Sequence, residues 1–338
     1  MNILSIESSC DETAVAVVAD GRRVLCDCIA SQVDLHRIYG GVVPEIASRK
    51  HIEAISGLAQ QALEQAKLTK QDIDAVAVTY APGLIGAVLV GVNFAKSVAY
   101  GLGKPLIPVH HIRGHIAANY IAYPELEPPF LCLVVSGGHT MIVDVQDYTK
   151  LQILGTTLDD AAGECFDKVG RVLGMPYPGG AALDRAAQGG NDHMYTLPHS
   201  KPGANPYDMS FSGLKTATLN LIHHAQQVGE SVDINSLCAS FCKSVSDTLI
   251  PRVGLALRQT GYKKLAVAGG VAANTRIRND LLETAKKMNA TVYMPPLSLC
   301  GDNAAMIGSQ AYYEFLAGNI ADMSLNAYAT KSVIGEML

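Results

Sequence analysis

In the run His110-His111-Ile112-Arg113-Gly114-His115, two imidazoles stand four residues apart, in a segment that reads as helical from about 111 to 121. Residues i and i+4 share a helical face, so His111 and His115 can reach one point. Two such nitrogens are half of a metal site and need a carboxylate or thiolate from elsewhere; the alternative is a pair of capping or packing histidines. A second cluster, Ser8-Ser9-Cys10-Asp11-Glu12-Thr13, reads as a tight turn between two strands. It can face phosphate through its N–H groups or a metal through Asp11 and Glu12; the plainer reading is a polar hairpin turn. Three glycine turns follow strands: Pro82-Gly83, Ser136-Gly137-Gly138 and Gly269-Gly270. Glycine lets backbone approach phosphate closely and offers N–H donors without side-chain bulk. The third turn precedes a helix N-terminus. Together they suggest a nucleotide clamped between lobes. GxxxxGK[ST] and GxGxxG are both missing, which argues against a P-loop or a dinucleotide-binding site.

The elements that must position these groups occur in a repeated order. Asn2 to Ser8 and Ala14 to Ala19 read as antiparallel strands, and Asp20-Gly21 turns the chain into a third, Val24 to Ser31. A loop, His36 to Val43, leads to Pro44, which opens a helix to about Ala66. Arg49, Lys50 and His51 on it are a small basic patch or a solvated helix face. Ala75 to Thr79, a glycine turn, the small-residue helix Ile85 to Tyr100 and Lys104 to Val109 form a βαβ unit. That helix suits a lobe or subunit interface, or core packing.

In the second half, Phe130 to Val135 and Met141 to Val145 flank a glycine turn. Lys264 to Ala268, Thr275 to Met288 and Thr291 to Met294 then repeat strand, helix, strand. The order hairpin, then βαβ, thus occurs twice, which reads as a duplication into two similar lobes with a ligand cleft between them at the strand ends. Between the two parts of the second lobe lies a helical insert. It comprises Leu158 to Gly174, Ala181 to Gln188, a loop-like stretch 191–213, Leu214 to Val228 and Leu237 to Thr260. A last helix, Asp302 to Leu316, is expected to be capped by Asp302 or Gly301.

The totals agree with this. At 338 residues the chain exceeds the usual single core, so two domains are expected. Hydrophobic content of 49% against 17% charged supports a large core. Net charge is −5 and no Lys/Arg block occurs, so if nucleic acid is a substrate the contact must be a local patch, alone or completed by a partner. The eight cysteines lack paired C-x-x-C spacing and sit mostly in apolar runs, as reduced thiols of a cytoplasmic protein do. The opening Met1-Asn2-Ile3-Leu4-Ser5-Ile6 meets Glu7 at once, unlike a signal peptide. No apolar run is expected to reach the ~18 residues of a membrane span.

Several segments, in one order along almost the whole chain, resemble a known family. They are Ile6-Glu7-Ser8-Ser9-Cys10-Asp11-Glu12-Thr13, Tyr39-Gly40-Gly41-Val42-Val43-Pro44-Glu45, and Lys96-Ser97 through His111, Gly114, His115 and Ile116. They continue with Val135-Ser136-Gly137-Gly138-His139-Thr140, Asp160-Ala161-Ala162-Gly163-Glu164 and Ser210-Phe211-Ser212-Gly213. The family is TsaD, also called Gcp and once labelled glycoprotease. The resemblance implies an α/β, duplicated, two-lobed actin/Hsp70/sugar-kinase-like (ASKHA) fold. The lobes would span 1–128 and 129–310, the second with its insert at about 158–260. Residues 311–338 would pack back on the first lobe. It implies transfer of threonylcarbamoyl from threonylcarbamoyl-AMP to N6 of the adenosine following the anticodon in tRNAs that read A-starting codons.

Carried onto this chain, the family pattern makes His111, His115 and Asp302 metal ligands, for one divalent ion per subunit, Fe(II) ahead of Zn(II). His110 and His139 would be neighbours of that centre. Val134, Val135, Ser136, Gly137, Gly138, Asp167, Gly180, Asp184 and Asn274 would bind the adenylate, or ATP/ADP. Helix-surface carboxylates at Asp167 and Asp184 and a helix cap at Asn274 are the plainer readings. Asp11 or Glu12 is the candidate for taking the amine proton. The implied partners are tRNA, a paralogous non-catalytic TsaB-like subunit and a small TsaE-like ATPase, with no membrane. Alternatives are a metalloprotease acting on sialylated glycoproteins, or a small-molecule kinase of the same superfamily. A zinc protease of the usual kind wants His-Glu-x-x-His, and Ile112, Arg113 and Gly114 provide no such glutamate.

Overall fold

A computed structural model describes residues 1–201 and 203–334. Contacts divide it into two units: Met1–Pro128 with Gln146–Leu151 and Pro295–Leu338, and Pro129–Val145 with Gln152–Met294.

Unit 1 is built on a five-stranded sheet. Its strands are β1 (Asn2–Glu7), β2 (Glu12–Ala19) and β3 (Arg23–Ser31), followed by α1 (Val33–Arg37) and α2 (Pro44–Ala66). Next come β4 (Ala75–Ala81), α3 (Ile85–Leu102), β5 (Leu106–His110) and α4 (His111–Ala122). The strand order is β3-β2-β1-β4-β5. β1 runs antiparallel to β2 and parallel to β4, and β4 is parallel to β5.

Unit 2 repeats the scheme with β6 (Phe130–Val135), β7 (Thr140–Val145) and β8 (Leu151–Thr156). Then come α5 (Ala162–Val172), α6 (Gly179–Ala187), α7 (Ser212–Val228), α8 (Ile234–Thr260), β9 (Lys264–Ala268), α9 (Thr275–Lys287) and β10 (Thr291–Tyr293). Its order, β10-β9-β6-β7-β8, is the same one read from the other edge. The chain then returns to unit 1 as α10 (Ala304–Leu316).

Helices cover both faces of the first sheet, and β4, Ala75 to Ala81, is accordingly buried at every position, as expected of a two-sided parallel strand. Leu4, Ile6, Val15 and Val17 pack with Ile55 and Leu58 of α2 and Val88 and Val92 of α3. On the other face Ile3, Ala75, Ala77, Ile107 and Val109 meet Met306 and Ile307 of α10. Ser5, a buried polar residue within β1, donates to the Ala304 carbonyl at 2.7 Å. A Cβ on Gly308 would stand 2.7 Å from Val18 Cγ2, so α10 lies close on the sheet. This packing seats α10 on the sheet of unit 1.

Four local readings need correction. The last helix is capped by Asn303, whose side chain accepts from Met306 N at 2.8 Å, and not by Asp302 or Gly301. The helix expected from Leu158 begins at Ala162, because Asp159 turns away to bind Phe211 N and the Ser212 hydroxyl at 2.8 and 2.7 Å. The loop from His36 starts inside α1, where His36 is buried and bonds Gln32 at 3.2 Å. Finally, the 18 residues Ile85–Leu102 form one helix long and apolar enough to cross a membrane by length and composition. Its small-residue face, including Ala87, Gly91 and Ala95, is buried in unit 1.

Candidate metal centre and nucleotide-binding turn

β5 ends at His110, and α4 starts at His111 with the His110 side chain as its cap, accepting from Ile112 N at 3.2 Å. The helix presents His111 and His115 on one face. Asp302, just before the Asn303 cap of α10, turns its carboxylate toward both. Its Oδ1 lies 3.4 Å from His111 Nε2 and 3.2 Å from His115 Nε2. One ligand atom from each of the three residues falls within 4.8 Å of the others. Gly114 makes the approach possible, since a Cβ there would stand 2.7 Å from Ile307 Cδ1 of α10.

The far side of His111 is held as well. Its Nδ1 faces Glu7 Oε2 at 3.0 Å and the Ser9 hydroxyl at 3.2 Å. Glu7 is fully buried at the end of an apolar strand, where it also accepts from Thr79 Oγ1 at 2.6 Å and Ser9 N at 2.5 Å. A carboxylate on Nδ1 fixes the ring orientation and leaves Nε2 for a cation. Burial works against a proton on His111, yet the Asp302 and Glu7 carboxylates hold its pKa well above the ordinary imidazole value. Burial pushes Glu7 and Asp302 up, and the facing His111 outweighs it, holding both below the usual carboxylate range. A buried carboxylate, Glu7, and a partly buried one, Asp302, around two imidazoles make a place for positive charge, which a proton or a metal ion can supply.

The residues fit a metal. Two ligand atoms each about 2.1 Å from one ion are roughly 3.0–3.4 Å apart for bond angles between 90° and tetrahedral, and both observed Nε2–Oδ1 separations fall there or within it. Two histidines and one carboxylate leave further positions open, which suits Fe(II) or Zn(II) catalytic sites. Glu7 and Ser9 are neighbours of the ligand His111. His110 Nε2 faces the Lys331 carbonyl at 3.1 Å. The one hint of Glu7 in the sequence is a charge closing an otherwise apolar strand.

Asp11 and Glu12 lie in the turn between β1 and β2. Asp11 is buried. Glu12 accepts from Ser31 Oγ at 2.8 Å with one oxygen, and its other oxygen is buried with no hydrogen-bond partner. Burial first, and the charges of Asp11 and Asp302, push its carboxyl up to about 7 against a weaker opposing bond from Ser31.

In unit 2 the expected binding residues lie at the end of β6, in the turn after it, and on α5, α6 and the start of α9. Val134 and Val135 end β6, with Val134 opposite Ala268 of β9. Gly269 has φ +92°, and a Cβ there would stand 2.5 Å from the Val135 carbonyl; only glycine suits this turn. Ser136 N donates to the His139 carbonyl at 2.8 Å, and the Ser136 carbonyl accepts from Gly163 N at 3.3 Å. Gly137 and Gly138 are exposed, with open space where a Cβ would be. Asp167 accepts from Gly180 N at 3.3 Å. Asp184 accepts from Thr275 N and Oγ1 at 3.0 and 2.8 Å. Asn274 caps α9 through Ile277 N at 3.1 Å, the plainer role expected of it.

Comparison with known proteins places these features in context. The profile of the family described as TsaD, tRNA N6-adenosine threonylcarbamoyltransferase, matches residues 23–309. Relatives carrying that same description include a protein of Clostridium novyi (strain NT), 54% identical over 97% of this chain and 96% of its own length. Another, from Clostridium botulinum (strain 657 / Type Ba4), is 52% identical over 97% of this chain and 96% of its own. Among solved structures, T. kodakarensis HypF superposes with TM-score 0.63 at 14% identity, covering 96% of this chain and 49% of that one. A ROK hexokinase from Thermus thermophilus gives TM-score 0.51 at 14% identity over 94% and 100%. At such identities these structures speak for the fold alone, an ASKHA-type α/β architecture.

Proposed function

The chain belongs to the TsaD family of tRNA N6-adenosine threonylcarbamoyltransferases, and we infer that it transfers a threonylcarbamoyl group to N6 of an adenosine in tRNA. The observation that carries this reading at the site is the convergence of His111, His115 and Asp302, backed by Glu7. The donor is threonylcarbamoyl-AMP, and the acceptor is the adenosine following the anticodon in tRNAs that read A-starting codons. The resident ion is Fe(II), with Zn(II) the alternative. A TsaB-like paralogous subunit and a TsaE-like ATPase complete the system, in the cytoplasm, where eight free thiols stay reduced.

The donor is a mixed anhydride, so its carbonyl is already activated and AMP is the leaving group. The exocyclic nitrogen of adenine is a poor nucleophile, and holding it beside the carbonyl is the main task. The patch around Ser136 to Gly138 binds the adenylate, its exposed glycine N–H groups toward phosphate, with Asp167 and Asp184 accepting from the ribose hydroxyls. His111, His115 and Asp302 would hold a divalent ion, which would supply Lewis acidity toward a substrate oxygen. The new N–C bond forms as the C–O bond to phosphate breaks, and AMP leaves with that electron pair. Glu12, with a free oxygen and a carboxyl at about 7, takes the nitrogen's proton near neutral pH; Asp11 is the alternative.

The test is direct. Purified protein with its partners, synthetic threonylcarbamoyl-AMP and unmodified tRNA should yield threonylcarbamoyladenosine by nucleoside mass analysis. Phosphorylation of a small molecule from ATP without tRNA, or cleavage of a glycoprotein, in place of this product would sink the reading.

A further inference from the structure

Arg113 lies two residues from each candidate ligand on α4, roughly 200° round the helix from both, so it cannot join the cation. It is nevertheless buried, with 4% of its surface exposed. Its guanidinium donates from Nη1 to Glu314 Oε1 at 3.1 Å and to the Thr149 carbonyl at 3.0 Å. Nε and Nη2 both donate to the Val333 carbonyl, at 3.2 and 3.0 Å. Glu314 is fully buried on α10 and also accepts from Gln310 Nε2 and Asn319 Nδ2 at 2.7 and 2.6 Å.

The C-terminal segment is therefore strapped across the base of the centre. Tyr328 N donates to the Tyr80 carbonyl at 2.9 Å, and the Ala329 carbonyl accepts from Gly83 N at 3.2 Å. The Lys331 carbonyl meets His110 Nε2, next to His111, at 3.1 Å. α4 carries two of the candidate ligands, and α10 begins two residues after the third. A buried ion pair seldom stabilises a fold more than apolar groups of the same size would. What the Arg113 fork does provide is a fixed separation between two helices, in a planar geometry that lysine cannot reproduce.

We propose that Arg113 is a positioning residue for the metal centre. By holding Glu314 and the Val333 carbonyl at once, it sets α4 against α10 and so sets His111 and His115 against Asp302. The proposal rests on the metal reading of those three residues. Residues that orient a ligand from behind commonly alter metal affinity by 10–100-fold when changed, and an error of helix spacing acts on the same separations.

The test uses the full chain loaded with Co(II), whose visible absorption bands report ligand geometry. Wild type, Arg113→Lys, Glu314→Gln and His111→Ala are compared, with Co(II) affinity measured by chelator competition and fold by circular dichroism. Arg113→Lys and Glu314→Gln should each shift the absorption bands and weaken Co(II) binding by about tenfold or more, while nucleotide affinity in unit 2 stays at the wild-type value. If one variant fails to fold, the other decides. Lower melting temperature with unchanged bands and affinity in the folded variants overturns the proposal and makes the pair merely structural. Equal Co(II) binding by wild type and His111→Ala would instead overturn the metal reading itself, and the proposal with it.

Discussion

Replacing Glu7 by Gln isolates the group that orients His111. The carboxylate sits 3.0 Å from His111 Nδ1, and Gln keeps its size and one oxygen to accept from Thr79, while removing the charge and the oxygen that accepts from Ser9 N. What is lost is a charge-assisted bond that makes Nε2 a better ligand. Loss of such a partner typically costs 10–100-fold in metal affinity, or about 1.4–2.7 kcal/mol. Metal bound only by the folded state stabilises it by RT ln(1 + [L]/Kd), so at saturating Zn(II) the metal-induced stabilisation should shrink by that same amount. The assay is denaturant unfolding of wild type and Glu7→Gln, each with and without Zn(II), beside chelator competition. An unchanged metal increment, with or without a change in the metal-free stability, would refute the claim that Glu7 acts through His111.

Other expectations are as quickly checked. Glu12→Gln should lower the transfer rate by about 10²-fold or more with little change in donor affinity, and wild-type transfer should rise as pH climbs through about 7; a flat profile would remove Glu12 as the proton acceptor. Gly114→Ala should destabilise by about 1–3 kcal/mol, because the new methyl would meet Ile307 Cδ1 at 2.7 Å; a gain in melting temperature would show that α4 and α10 can part freely. Burial raises the Asp27 carboxyl to about 6, against bonds from Ala304 N and Ala305 N. A folded pKa above the unfolded one favours the protonated form, so this group's contribution is fully present below about pH 4 and is lost as pH rises through about 6. Asp27→Asn should remove that slope, up to roughly 3 kcal/mol, in unfolding measured from pH 4 to 7; an unchanged slope would contradict it.

Some of this was legible in the residues and some was not. The duplicated order could be read because strands buried on both faces are continuous apolar runs and their turns carry glycine. β8, Leu151–Thr156, escaped because it is half-exposed and its pattern mixes Gln152 and Gly155 among apolar positions. The His111/His115 pair shows in sequence because both lie on one helix. Asp302 has no local mark, since its role depends on α10 packing back on β1 and β2; only the family resemblance pointed to it. Glu7 and Arg113 were missed for the same reason: each acts through a tertiary contact with a residue far along the chain. The cap of α10 went to Asn303 rather than its neighbour because Asp302 is turned toward the histidines.

The most direct check joins metal and chemistry in one measurement: bound iron and zinc per chain by elemental analysis, read beside the yield of threonylcarbamoyladenosine, for wild type, His115→Ala and Asp302→Ala. Wild type should hold close to one ion and modify tRNA, and both variants should lose ion and product together. Variants that are folded, free of metal and still as active as wild type would contradict the account.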